Sequence, residues 1–200
     1  KTEWDYVVLQ SWRDVSEQPN QAYERYATKL AEIVKAQGGE VILYMTSPET
    51  QNEAPVTAPY NVASAERDTT MGLRMAKALQ PKAVIPVPLA IKNIQTGDKD
   101  KPGTDLVFRY HNDGHPNQIC AFLVANLFYA AITGKSPEGF AFNSVTETKL
   151  KDGKDPDGGE PTVVFDNEGK TYLQRMAYES VLEFNRGYKN LDVIGRWRDQ

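Results

Sequence analysis

The chain contains three short apolar runs that predict β-strands. They cover residues 4–10, 41–46 and 83–90, and each is rich in β-branched or aromatic side chains. The second run is continuously apolar rather than alternating, which is typical of a strand covered on both faces. Pro86 and Pro88 are unfavourable in the middle of a sheet, so we expect the third strand to end irregularly.

Between and after these runs, apolar residues recur at the three- and four-residue spacing of an amphipathic helix. This periodicity predicts helices at residues 21–37, 66–79, 117–133 and 170–184. The third of these segments is apolar nearly all round, which favours a buried helix. The intervening polar stretches predict loops at residues 11–20, 47–63, 93–104 and 144–169, with a short extended piece at 106–109 and a small hairpin near 162–165.

The alternation of strands and helices predicts an α/β fold: an open parallel sheet of the flavodoxin-like type with helices on both faces. Right-handed crossovers bring the loops that follow the strands to one edge of the sheet, which is where ligands bind in such folds. Residues 1–200 contain no internal repeat and no linker, so we expect one domain. Within it, residues 144–169 are expected to form a surface excursion.

Composition narrows the classes of function. The chain has 200 residues, of which 40% are hydrophobic, and its 23 basic and 27 acidic side chains leave a net charge of −4. This balance, without a basic stripe, argues against a nucleic-acid partner. No apolar run approaches the roughly 20 residues of a membrane-spanning helix, so we expect no membrane span.

The sequence also lacks the usual signatures of metal and cofactor sites. The single cysteine, Cys120, cannot form a disulfide within the chain, and its apolar neighbours favour a small buried hydrophobic residue over a nucleophile. No cluster of Cys and His has the spacing of a zinc site. The acids at 152, 155 and 157 miss the alternate spacing of a helix-loop-helix calcium loop, which favours a solvated surface loop. We therefore expect no metal and no cofactor.

Both histidines, His111 and His115, lie within residues 109–116, the most informative stretch of the sequence. His115 precedes a proline, a favoured first residue of a helix, so it should stand where the third predicted helix begins. With Asp113 two residues before it, His115 has the arrangement of an oriented general base, in which the carboxylate accepts from one ring nitrogen and the other nitrogen takes a proton from a hydroxyl. Alternatively, residues 113–114 form a turn and His115 merely caps the helix.

This stretch carries a resemblance to a known family. The motif Asp113-Gly-His-Pro-Asn, followed by an apolar helix that ends in Gly-Lys-Ser-Pro at residue 137, resembles the last conserved block of the SGNH hydrolases, the GDSL-like serine esterases. It is most similar to the exported branch of that family. The three predicted strands and the closing helix also resemble parts of that fold, so the likeness covers most of residues 4–184.

The resemblance implies that a serine attacks an ester carbonyl and that His115 activates this serine. The family's aspartate partner usually lies three residues before the histidine, a position that Asn112 holds here, whereas Asp113 lies two residues before it. Either Asp113 orients the ring, which we favour, or Asn112 does so with a neutral amide. A neutral amide would still fix the ring tautomer but would stabilise the imidazolium less.

The resemblance also points to the end of the first predicted strand. The family's third block normally reads Gly-x-Asn-Asp, and its Asn donates to the oxyanion. The matching stretch here is Ser11-Trp-Arg-Asp, so Arg13 stands where that Asn would be, with Gln10 nearby as an amide donor. A guanidinium can stabilise an oxyanion or bind an acidic substituent of the substrate. Alternatively, Arg13 pairs with nearby acids at the surface, and Trp12 either lines an acyl or sugar pocket or simply packs.

The nucleophile is not identified in this sequence. No Gly-Asp-Ser or Gly-Asn-Ser follows a strand, and the serines at 11, 47, 64, 136 and 144 lack the family's context. The family's first two blocks would precede Lys1, and we expect upstream residues or a second chain to supply them. Without them the first and normally central strand is missing, which leaves unpaired sheet edges.

These patterns favour a serine-type ester hydrolase of the SGNH type, exported from the cell, that releases acetyl or short acyl groups from a small-molecule or carbohydrate-like ester. The alternative is a non-catalytic carbohydrate-binding or scaffold domain, which the residues at 13 and 112 favour because they depart from the family's pattern. A flavodoxin-like ligand-binding domain is a third interpretation, but the sequence lacks a glycine-rich phosphate loop.

Overall fold

A computed structural model of the chain describes residues 4–10, 17–46, 62–97, 106–112, 115–148, 150 and 152–194, with the backbone alone at 17–21, 62–64 and 190–194. The described part contains five strands and five helices. In chain order these elements are β1 (Tyr6–Gln10), α1 (Glu17–Ala36), β2 (Glu40–Met45), α2 (Val62–Leu79), β3 (Ala83–Pro86), α3 (Val87–Gln95), α4 (Gln118–Thr133), β4 (Ser144–Thr146), β5 (Thr162–Val164) and α5 (Asn167–Ile194).

The first three strands form a parallel sheet in the order β1-β2-β3, which confirms the predicted α/β architecture. In the register of the sheet, Val8 lies beside Ile42, and Ile42 lies beside Ala83. Parallel strands require a crossover between them, and α1 and α2 supply the two crossovers. The carboxyl ends of all three strands therefore lie at one edge of the sheet, which we call the carboxyl edge.

Helices cover the sheet on both faces. Successive side chains of a strand point to opposite sides, and here both sides carry apolar residues that must be buried. On one face, Leu43 and Val84 are buried with side chains of α1 and α2. On the other face, Ile42 and Ile85 are buried with side chains of α3, α4 and α5. This arrangement explains why the second predicted strand reads as a continuous apolar run.

The third predicted strand is shorter than expected, and the prediction of a strand at residues 83–90 is wrong beyond Pro86. The chain passes there directly into α3, with Pro86 as the residue that precedes the helix. Pro88 is the second residue of α3, where the missing N–H removes no intrahelical hydrogen bond. The two prolines that disfavour a strand interior are thus compatible with a switch from strand to helix.

The helices at both ends of the chain also exceed their predicted bounds. Helix α1 begins at Glu17, so the predicted loop at residues 11–20 is wrong at its end. Pro19 is the third residue of α1 and lies in the first turn, where an N–H has no intrahelical acceptor. Helix α5 extends for 28 residues, from Asn167 to Ile194, well beyond the predicted segment.

Helix α4 follows its prediction closely. Its first backbone groups are capped by Asn117, whose side chain accepts a hydrogen bond from the Cys120 backbone N–H at 3.1 Å. Its last turn closes at Gly134 in the left-handed conformation, with φ of 68°. The prediction of a small hairpin near residues 162–165 is wrong in its partner: β5 is present, but it pairs in antiparallel register with β4, where the opposed Thr146 and Thr162 are 16 residues apart in the chain. The ring of Phe165, just after β5, contacts Phe122 of α4 with 4.4 Å between ring centroids.

The outer side of β1 is the least covered part of the sheet. In the described part of the chain, β1 pairs with β2 alone, and its residues Tyr6 and Val8 are exposed on the face that α4 covers elsewhere. On the opposite face of the sheet, helix α1 also has an exposed row of apolar side chains: Tyr26, Leu30 and Ile33. We call these five side chains, two on one face and three beside the other, the β1-side apolar surface.

The row on α1 points away from α2. Glu24 of α1 forms an ion pair with Arg74 of α2 at 2.9 Å, and the Lys35 ammonium donates to the Leu79 carbonyl at 2.7 Å. At about 100° per residue, the row at 26, 30 and 33 lies on the opposite side of the helix from Glu24 and Lys35. Since α2 lies towards β3, this row faces the edge of β1 with which no other described strand pairs.

Candidate functional site

The stretch that carries both histidines folds back on itself as a tight loop. We call residues 108–117 the histidine loop; the two residues at its tip lie outside the described part. Arg109 and Pro116 pair in an isolated antiparallel bridge. Inside this bridge, the Tyr110 backbone N–H donates to the His115 carbonyl at 2.9 Å. The loop therefore has a defined base from which His115 projects.

The histidine loop is anchored in the core and to α4. Phe108 and Tyr110 are buried. Asn117 donates through its backbone N–H to the Phe108 carbonyl at 3.1 Å and through its side chain to the Val107 carbonyl at 2.8 Å. The same side chain caps α4, as described above. A single residue thus connects the base of the loop to the first turn of the helix.

Contacts and charge connect this loop with the carboxyl end of β2. Tyr44, the penultimate residue of β2, packs against Phe128 of α4 with 5.5 Å between ring centroids, and α4 directly follows the loop. Burial raises the pKa of Tyr44 to about 12, and the positive charge of Arg109 opposes this rise. The charge of Arg109 in the loop is therefore within electrostatic range of Tyr44.

His115 lies in this loop with an exposed side chain, three residues before α4 begins. The cap of α4 is Asn117, so the alternative in which His115 merely caps the helix is wrong. Pro116 likewise precedes the cap rather than opening the helix. Asn112 is exposed at the other side of the tip, and Asp113, the favoured orienting residue, lies outside the described residues.

Asp157, from the excursion between β4 and β5, holds the histidine loop from outside. Its Oδ2 accepts from the backbone N–H of His111 at 2.9 Å, and its Oδ1 accepts from that of Asn112 at 2.8 Å. The pattern of acids around Asp157 predicted only a solvated loop, without this contact to the backbone of the histidine loop. The signal was the pair of acids before a Gly-Gly turn, since short acids commonly accept from nearby backbone N–H groups.

Two further acids of the β4–β5 region, Glu147 and Asp155, contact the histidine loop and the start of α4. Tyr110 donates through its hydroxyl to Glu147 Oε2 at 3.0 Å. Burial and this carboxylate raise the pKa of Tyr110 well above its ordinary value, so it stays protonated as a donor. Gln118, the first residue of α4, donates to the Pro161 carbonyl at 3.1 Å and lies 3.5 Å from Asp155 Oδ2. The excursion is therefore tied to the loop and to the helix that follows it.

Of the residues proposed at the end of the first strand, the structure describes one. Gln10 is the last residue of β1, exposed at the carboxyl edge and in register with Tyr44 of β2. Trp12 and Arg13 lie outside the described residues. Gln10 and the histidine loop are thus at the same edge of the sheet, on elements that are 98 or more residues apart in the sequence.

A small cleft at the carboxyl edge contains a carboxylate that sequence reasoning did not single out. Asp68 of α2 is only 7% exposed, and the cleft around it is lined by Tyr23, Tyr44, Met45 and Pro88 among others. Its position on the apolar face of the predicted helix, in line with the methionines at 71 and 75, was the available signal. Asp68 is paired there, because its Oδ1 lies 3.4 Å from Nε of Arg67.

Cys120 has the character expected from its apolar run. Its side chain is 0% exposed, and burial raises the pKa of its thiol to about 12, a rise that the charge of Arg109 partly offsets. The thiolate is the reactive form of cysteine, so a thiol with this pKa is a poor nucleophile at neutral pH. Cys120 is thus a packing residue beneath the histidine loop.

The described ranges contain no group of three or more His, Cys, Asp and Glu side chains arranged to hold a metal ion. In the segment first weighed as a calcium loop, Asp155 Oδ1 accepts from the backbone N–H groups of Asp157 and Gly159 at 3.0 and 2.7 Å. Over the same described residues, no helix is both long and apolar enough to cross a membrane.

Comparison with protein-family models, with curated proteins and with solved structures finds no match to this chain.

Proposed function

We propose that the protein is a serine-type ester hydrolase of the SGNH type, with His115 as its general base. The observation that carries this proposal is the setting of His115: an exposed imidazole on an anchored loop, whose Arg109 is within electrostatic range of Tyr44 at the carboxyl end of β2. Ligands of open parallel sheets bind at the carboxyl edge. A histidine buried in the core or placed at the opposite edge would have argued against the proposal.

The proposed chemistry is an acyl transfer in two steps. A serine oxygen attacks the ester carbonyl while His115 takes the serine proton, and the carbon–oxygen bond to the alcohol then breaks as His115 returns the proton to the leaving oxygen. Water next attacks the acyl-enzyme by the same route. Asp113, or Asn112 in its place, orients the imidazole ring.

The end of β1 supplies the proposed oxyanion and substrate contacts. The amide of Gln10 is a suitable donor to the carbonyl oxygen that becomes negative in the transition state. Arg13 would assist there or bind an acidic group on the substrate, and Trp12 would line the acyl or sugar pocket. We expect acetyl or short acyl esters of a carbohydrate-like alcohol, handled by an exported protein, as the resemblance implies.

The β1-side apolar surface supports a place for the nucleophile. A parallel strand beside the open edge of β1 would finish at the carboxyl edge, next to Gln10 and on the same side as the histidine loop. It would also bring a helix against the exposed row of α1. We propose that a segment upstream in the same protein provides this strand and carries the serine at its end.

The test is ester hydrolysis by the full-length protein. A chromogenic acetate ester should be hydrolysed, and His115→Ala should lower kcat/KM by roughly a hundredfold to ten-thousandfold, since this is the usual contribution of a general base. His111→Ala is the matched control because it removes the other histidine of the loop while keeping its backbone N–H. Retained activity in His115→Ala, or equal losses in both variants, would rule out the assignment.

A non-catalytic carbohydrate-binding domain is the second candidate, and the specific observation that favours it is Asn112 at the usual aspartate position. It predicts that the full-length protein binds acetylated oligosaccharides in calorimetry but hydrolyses none of a broad panel of esters. Hydrolysis that depends on His115 excludes this candidate.

A further inference from the structure

We propose that Asp157 is the positioning residue of the histidine loop, a role that rests on the proposed function of His115. Asp157 does not act on substrate. It fixes the backbone beside the tip of the loop, so that the imidazole of His115 is presented in one orientation. The residue lies 42 positions after His115 in the sequence, on a different structural element.

Asp157 contacts the histidine loop at two points, and we call this contact the clamp. The two carboxylate oxygens of Asp157 accept from two successive backbone N–H groups, those of His111 and Asn112, at 2.9 and 2.8 Å. Hydrogen bonds to a carboxylate are stronger than neutral ones, and a two-point contact restricts rotation as well as distance. The backbone just before the tip of the loop is therefore fixed at two consecutive N–H groups, those of His111 and Asn112.

Both sides of the tip are held. On the far side, the His115 carbonyl accepts from the Tyr110 N–H at 2.9 Å, and Pro116 pairs with Arg109. The described residues on either side of the tip, Asn112 and His115, are therefore both fixed through their backbone groups. A fixed backbone limits the positions of the His115 ring, which is the requirement for an oriented base.

Asp157 is itself held in place. Its backbone N–H donates to Asp155 Oδ1 at 3.0 Å, and the Gly158 N–H donates to the Asp155 carbonyl at 2.9 Å. Gly158 has φ of 82°, a conformation that favours glycine and lets this turn close. Gln118 of α4 lies against the same turn and bonds the Pro161 carbonyl. The clamp is thus rigid relative to the helix that the histidine loop precedes.

These contacts distinguish a positioning role from a catalytic one. Both oxygens of Asp157 already accept hydrogen bonds from backbone groups, so the carboxylate has no role as an acid or base in the proposed reaction. Asp157→Asn keeps the shape and one accepting oxygen but turns an amide donor towards a backbone N–H. The variant should therefore loosen the loop without emptying the space that Asp157 fills.

The test uses amide hydrogen exchange and kinetics on the full-length protein. Asp157→Asn should raise the exchange rates of the His111 and Asn112 amides by about tenfold or more, since one lost hydrogen bond to a charged group has at least this effect on local opening. In ester hydrolysis, kcat should fall by about tenfold to hundredfold while KM changes less than threefold. Glu160→Gln is the matched control: it removes one negative charge from the same segment, where Glu160 pairs with Lys154 rather than with the histidine loop.

The outcomes separate this proposal from the proposed function. Faster exchange and lower kcat in Asp157→Asn, with neither change in Glu160→Gln, support the positioning role. Unchanged exchange at His111 and Asn112, or faster exchange with an unchanged kcat, overturns it. If the wild-type protein hydrolyses no ester, the proposed function fails, and the exchange rates alone decide whether Asp157 holds the loop.

Discussion

The two sides of the parallel sheet differ in how completely their strands are covered. Ile85 of β3 is 0% exposed and packs among α3, α4 and α5, whereas Val8 of β1 is 46% exposed. Both residues lie in short apolar runs of the kind that predict buried strands. An apolar sequence pattern therefore shows that a strand can be buried. Whether it is buried depends on the elements that pack beside it.

The same contrast applies to the helices. Helix α4 has an ordered cap at each end and contributes Phe122, Leu123 and Leu127 to the core. Helix α1 buries its small side chains at Ala27 and Ala31, while its larger Leu30 is half exposed. The surface proposed to receive the nucleophile-bearing strand lies on the open side.

The largest contrast should be in thiol reactivity. At pH 8.5, native Cys120 should react with iodoacetamide at least a thousandfold more slowly than an exposed cysteine introduced by Val164→Cys. Burial raises the Cys120 pKa from its ordinary value of 9.0 to about 12 and also blocks access. The measurement is mass spectrometry of the alkylated native protein, with guanidinium-unfolded protein as the control. Rapid native alkylation of Cys120 would contradict its burial.

The raised pKa also gives the sign of a pH effect on stability. Folding holds the proton on Cys120, because the thiolate is disfavoured in the core. The resulting contribution to stability is therefore complete below about pH 9 and is lost as the pH rises towards 12. In Cys120→Ala, the loss of stability between these pH values should be shallower than in the wild type, as measured by urea unfolding.

Core truncation on the covered side should have the next largest effect. Ile85→Ala should lower the free energy of unfolding by about 2–5 kcal/mol, because it leaves a cavity among fully packed neighbours. Val164→Ala, at a strand position that is 67% exposed, should change it by less than about 0.5 kcal/mol. Urea denaturation of the full-length variants measures both. Equal effects would mean that the two sites are equally packed.

A lysine introduced at Val8 tests whether the exposed side of β1 is covered in the full-length protein. If an upstream strand and its helix cover β1, Val8→Lys should lower the unfolding free energy of the full-length protein by about 2 kcal/mol, since an unpaired ammonium would be buried. Val164→Lys is the matched control and should have almost no effect. A neutral outcome for Val8→Lys would show that this surface stays in water and would remove the proposed place for the nucleophile-bearing strand.

The smallest expected effect concerns the cap that connects the histidine loop to α4. Asn117→Ala should lower the free energy of unfolding by about 1.5 kcal/mol, because the Cys120 N–H loses its acceptor and the Val107 carbonyl loses its donor. Asn117→Ser, which keeps a capping oxygen but not the amide donor, should recover about half of this loss. Thermal unfolding of the two variants provides the measurement, and equal melting temperatures would contradict the capping role.

Sequence reasoning predicted the sheet, its parallel direction and helix α4 with its terminal glycine, because these depend on local periodicity and on turn chemistry. It misassigned residues 87–90, since an apolar run that contains prolines is compatible with both a strand end and a helix start. It placed His115 near the beginning of α4 but did not identify Asp157. No local pattern connects Asp157 with the backbone of His111, because the two are brought together only by the β4–β5 region.

The sequence by itself determined which segments become strands and helices, where α4 is capped, and which imidazole stands in a loop of turn-forming residues. These properties follow from interactions between residues that are close along the chain. Packing of the whole chain leaves Val8 exposed and Ile85 buried, brings the charge of Arg109 within range of Tyr44, and sets Asp157 against the histidine loop. Burial and long-range hydrogen bonds depend on which elements meet in space, and residues far apart in sequence meet only when the chain has packed.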